Sequence, residues 1–79
     1  MLNAKLKREA FARGGLLARR YSAQTETLVD LVVDNWGQPR SVLKQRFYAE
    51  YGSGILMMLF LNVMLPIIIQ IVAKWITDR

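Results

Sequence analysis

Residues 55–73 read ILMMLFLNVMLPIIIQIVA, nineteen positions without a formal charge. As a helix rising 1.5 Å per residue this stretch is roughly 28 Å long, close to the roughly 30 Å hydrocarbon thickness of a bilayer. A helix of this length in a water-soluble core normally carries a polar face, and here the only polar side chains are Asn62 and Gln70. The stretch therefore predicts a helix that crosses a membrane. Tyr48 and Tyr51 precede it and Trp75 follows it, where amphipathic rings act as interface anchors, and Lys74, Asp78 and Arg79 return the chain to water.

The chain has 79 residues, so a span of this size leaves little with which to build a separate soluble core. Cys and His are absent, which removes disulfides, thiolate chemistry, imidazole base catalysis and His-based metal or haem ligation. The six acidic residues fall in no metal-ligand spacing, and there is no Gly-rich phosphate loop, nucleophile elbow or internal repeat. The expectation is a non-enzymatic protein without catalytic residues, metal or cofactor.

The formal net charge is +5, and residues 1–20 account for it, with Lys5, Lys7, Arg8, Arg13, Arg19 and Arg20 against Glu9 alone. Residues 1–21 read as a basic N-terminal arm whose cations contact phosphate, on anionic lipid headgroups or on nucleic acid, unless the arm is simply a solvated tail. Leu2, Leu6 and Ala10 share a helical stripe that Glu9 and Arg13 interrupt, so the amphipathic signal is middling. Gly14 and Gly15 together disfavour helix by about 2 kcal/mol, which predicts one helix before them and a break at them. A mitochondrial import peptide is also amphipathic, Arg-rich and poor in acids. The run Arg19-Arg20-Tyr21-Ser22-Ala23 resembles a matrix-protease site, which implies a mature chain starting near Ser22.

Residues 22–37 predict an amphipathic docking helix, with Ser22 as N-cap and Glu26 near the favourable end of the helix dipole. At 100° per residue Leu28, Val29, Val32, Val33 and Trp36 fall within an arc of about 140°, while Glu26, Asp30 and Asp34 form a separate row. That apolar face is expected to dock on the chain's own juxtamembrane helix or on a neighbouring copy. Its acidic polar face argues against lying in the membrane plane, because surface-seeking helices carry Lys and Arg there. Residues 38–52 follow as a turn and a juxtamembrane helix: Gly37-Gln38-Pro39 stops the preceding helix, Ser41 caps the next, and Leu43, Phe47 and Tyr51 form its apolar stripe. Residues 53–79 comprise the transmembrane helix with a short polar C-terminus, and a continuous or mildly kinked passage through Gly52-Ser53-Gly54 is expected.

Within the span Asn62, Pro66 and Gln70 are spaced i, i+4, i+8 and align on one face. Pro66 has no N–H, so the carbonyl of residue 62 lacks its usual helical partner beside the Asn62 amide. This stripe is expected to be a helix-packing surface facing protein rather than lipid. The absence of an ionisable group in the span argues against a transport role. Arg40, Lys44 and Arg46 before the span outnumber Lys74 and Arg79 after it, which places the N-terminus inside a bacterial inner membrane or virion membrane, or in the matrix of a mitochondrion.

The fold expected is all-α: a single-pass transmembrane helix preceded by an amphipathic helix, a juxtamembrane helix and a basic N-terminal arm. The role expected is that of a structural or accessory subunit of a larger membrane assembly, a respiratory or photosynthetic complex or a lipid-containing virion. Its partners are then the lipid bilayer and other membrane-protein subunits or copies of itself. The competing expectation is a holin-like or toxin-like membrane-permeabilising peptide.

Overall fold

Four helices run in order along the chain: α1 (Leu2–Arg20), α2 (Ser22–Asp34), α3 (Arg40–Tyr51) and α4 (Ile55–Thr77). The structure is a computed structural model that describes residues 2–77, so the expected polar C-terminal residues Asp78 and Arg79 lie outside the described residues. The longest dimension is 37 Å, whereas the 23 residues of α4 alone make roughly 35 Å of helix. The other three helices must therefore lie alongside α4 rather than beyond its ends.

Each junction has a local cause. Gly15 adopts φ 59°, ψ −134°, a conformation open to glycine and costly for other residues, and it breaks α1 into two helical pieces that meet at a kink. At Gly14 it is packing that requires glycine: a Cβ there would stand 2.6 Å from the Ala18 Cβ and 2.7 Å from the Met64 Cε on α4. A helix thus precedes the glycines and a break falls at Gly15, as expected, and a second helical piece, which was not expected, runs on to Arg20. At the α1–α2 corner Tyr21, not Ser22, is the capping residue, and it makes no side-chain capping bond. The corner is held instead by buried Thr25, whose hydroxyl lies 3.1 Å from the Ala18 carbonyl and 2.9 Å from the Tyr21 carbonyl. The first turn of α2 accordingly contains no acidic residue.

The α2 helix ends at Asn35, whose backbone and side-chain N–H groups both donate to the Leu31 carbonyl. Gly37, at φ 92°, turns the chain, and Pro39 rather than Ser41 occupies the cap of α3. Proline suits the start of a helix, where its missing N–H costs nothing. The expected continuity between the juxtamembrane helix and the span is not found: Gly52 takes φ 84°, ψ 165°, and residues 52–54 separate α3 from α4. Two glycines in three residues make extended backbone cheap enough there for α3 to fold back onto its neighbours.

One core joins all four helices. Leu6, Ala10 and Ala18 of α1, Leu28, Val29 and Val32 of α2, and Leu43 and Phe47 of α3 are buried against seven α4 residues, Phe60, Leu61, Met64, Leu65, Ile68, Ile71 and Val72. An aromatic cluster fills the end near the start of α4. Phe47 stacks on Phe60 with centroids 5.7 Å apart, and Tyr21 meets the Phe60 ring edge-on at 5.6 Å, geometries that suit the ring quadrupoles.

Candidate membrane and partner surfaces

The α4 helix has two unlike faces. Its inner face supplies the core, while Ile55, Leu56, Leu59, Asn62, Val63 and Gln70 are exposed on the other side. Asn62, Pro66 and Gln70 fall near the middle of that outward face at 100° per residue, with Pro66 partly buried and both amides exposed. Among the described residues neither amide side chain makes a hydrogen bond. The stripe is therefore brought together on one surface and is not used by the chain's own packing. By length and composition α4 is the one helix among the described residues able to cross a membrane.

The basic segment is laid along α2 and α4 as helix α1, and this divides its cations into two groups. Lys7 reaches Asp30 at 3.3 Å and Glu26 at 3.9 Å, and Arg13 pairs with Glu9 at 3.1 Å. Asn3 donates to Asp30 at 3.0 Å beside the Lys7 contact, fixing α1 on α2. Lys5, Arg8, Arg19 and Arg20 are exposed and form no ion pair among the described residues. Glu9, which interrupts the apolar stripe of α1 in the sequence, accepts a 2.9 Å hydrogen bond from the Trp75 indole N–H. Lys5 Nζ lies 5.9 Å from the centroid of the same Trp75 ring, a distance at which the ring face attracts a cation.

The remaining expected residues have these places. Leu28, Val29 and Val32 are fully buried and Val33 is partly buried, but α2 ends at Asp34, so Trp36 stands in the turn beyond it, 43% exposed, and not on the helical docking face expected for it. Tyr48 and Tyr51 are half-buried beside Phe47, with centroids 6.0 and 5.1 Å away. The Tyr51 hydroxyl donates to the Ala23 carbonyl at 3.3 Å and lies 2.6 Å from the Thr27 hydroxyl. Trp75 is likewise half-buried, in the contact with Glu9 and Lys5. Arg40, Lys44 and Arg46 are exposed on α3.

Three structural features have no simple sequence signal. The Glu9–Trp75 bond joins positions 66 residues apart, and the Gly14–Met64 approach depends on how α1 crosses α4. Leu16 is 83% exposed although its neighbour Leu17 packs against the core. No protein-family model, curated protein or solved structure matches this chain.

Proposed function

We propose that this chain is a non-enzymatic, single-pass membrane protein that serves as a structural or accessory subunit of a larger membrane assembly, with its N-terminus inside. The observation that carries this reading is the outward face of α4, uncharged from Ile55 to Ala73 and apolar apart from two amides near its middle that make no hydrogen bond among the described residues. An amide in hydrocarbon gains by pairing with a neighbouring helix, which makes the stripe a contact for another subunit or a second copy.

The packed arrangement and the spanning one exclude each other. Gly14 meets Met64 near the middle of α4, so a spanning α4 that kept α1 at its side would carry the neighbouring Arg13 into lipid. A charge at that depth costs about 2.5–3.5 kcal/mol on insertion scales. In water the cover is held by burial of the seven inner residues of α4, of order 10–20 kcal/mol gross at about 1.5–3 kcal/mol each. In a bilayer that driving force disappears, since lipid chains are as apolar as the core. The α1–α3 segment then leaves α4 and sits at the membrane surface, and α4 offers both faces to lipid and partner helices.

Purification of a tagged chain in mild detergent tests the reading. Co-isolation with a large membrane complex is expected; recovery only as a dispersed monomer, or in the soluble fraction, contradicts it. The same apolar helix under a removable cover also suits a holin-like or toxin-like peptide that opens a membrane lesion. Expression in bacteria separates the two, because abrupt loss of membrane potential marks the lesion and harmless accumulation marks the subunit.

A further inference from the structure

We infer that in the packed form, before α4 inserts, the outward face of α1, completed by Trp75, is a docking surface for an anionic phospholipid bilayer. The inference deepens the membrane reading above by naming which cations touch lipid and by choosing lipid over nucleic acid. Lys7 and Arg13 are occupied by Glu26, Asp30 and Glu9, leaving Lys5, Arg8, Arg19 and Arg20 as the cations exposed along α1. Of the acids near α1, Glu26 and Asp30 gather around Lys7, while Glu9 borders this face but is held between Trp75 and Arg13. The result is a positive strip at both ends of α1, complementary to a negatively charged leaflet.

Two further features select lipid. Leu16, between the cation pairs, is 83% exposed, the highest value among the exposed large apolar side chains. Such a residue gains by entering the headgroup–acyl boundary and gains nothing from a sugar-phosphate backbone. At the other end Lys5, Arg8, Glu9 and Trp75 line an open groove of about 440 Å³, room for a phosphodiester headgroup between two cations and an indole of the kind that settles at membrane interfaces. The Glu9 carboxylate fixes the indole edge at 2.9 Å and is itself countered by Arg13, so it does not cancel Lys5 and Arg8.

The test is flotation of the full chain, made by cell-free translation, with vesicles of phosphatidylcholine alone or containing about a quarter phosphatidylglycerol. The readout is the ratio of lipid concentrations giving half-maximal flotation on neutral and on anionic vesicles, in which any contribution from α4 cancels. At about fivefold per cation near an anionic surface, the wild-type ratio should exceed about a hundred and fall as salt rises. Lys5→Gln with Arg8→Gln should lower it about 25-fold, and Arg19→Gln with Arg20→Gln by a similar factor. Lys7→Gln with Arg13→Gln removes the same charge but should lower it less than about threefold. Leu16→Ser should weaken flotation on both vesicles and leave binding to a DNA duplex unchanged.

A wild-type ratio near one, or equal losses from the outward and inward pairs, overturns the proposal. Tighter binding to the duplex than to anionic vesicles, tracking the same four cations, overturns it in favour of nucleic acid. Resistance to alkaline carbonate reports α4 insertion independently. Loss of that resistance with the ratio intact faults the spanning reading alone, and the reverse faults the docking face alone.

Discussion

Replacing Asn62 and Gln70 together by Leu separates assembly from insertion. Both amides are exposed, and among the described residues neither makes a hydrogen bond. The substitution therefore removes no internal contact and leaves the α1–α3 packing as it is. Leu keeps the bulk and raises hydrophobicity, so insertion should be as good or better. What disappears is bonding to a neighbouring helix, about 0.6–2 kcal/mol for each side chain. The pair is then worth about 1–4 kcal/mol, or about 5- to 900-fold in an association constant. Competition between tagged variant and untagged wild type for incorporation into the purified complex reads this directly. A control that exchanges Leu59 and Val63, exposed on the same face, for other apolar residues of similar size should cost less. Incorporation of the double Leu variant at wild-type level would refute the stripe as an assembly surface.

Two other perturbations follow from the packing. Gly15→Ala places a side chain where φ is 59° and ψ −134° and should destabilise the packed form by about 1–3 kcal/mol, lowering the midpoint of thermal loss of helicity by circular dichroism; an unchanged midpoint would show that α1 is not kinked there. The chain has no Cys, so Gly14→Cys with Met64→Cys permits a single designed cross-link where Gly14 of α1 faces Met64 of α4; the oxidised chain should be extracted by alkaline carbonate and the reduced chain should resist, and equal resistance would mean that α1 need not leave α4.

The apolar C-terminal helix was legible because residues 55–73 hold no charge, and no partner is needed to read that signal. The four-helix order was only partly so. Gly52 gave no warning that it would adopt φ 84°, because glycine permits a break without requiring one, and the choice is made by what α3 packs against. The α1 segment reads as an arm partly because Glu9 and Arg13 interrupt its apolar stripe, yet Glu9 ties α1 to Trp75 of α4, with Arg13 countering its charge from within α1. A polar intrusion and a polar contact look alike until the distant partner is known. The outward position of Asn62, Pro66 and Gln70 is of the same kind: periodicity aligns them, and only the packing of Phe60, Met64 and Ile68 says which way they point.

The central claim is that α4 crosses the membrane with α1 left on the inner side. Single thiols introduced by Ala4→Cys and by Thr77→Cys, both exposed in the packed fold, test it in a chain free of other thiols. In intact spheroplasts treated with a membrane-impermeant maleimide, Thr77→Cys should label at once and Ala4→Cys only after lysis. Labelling of both thiols before lysis, protection of both, or recovery of the chain in the soluble fraction would contradict the account.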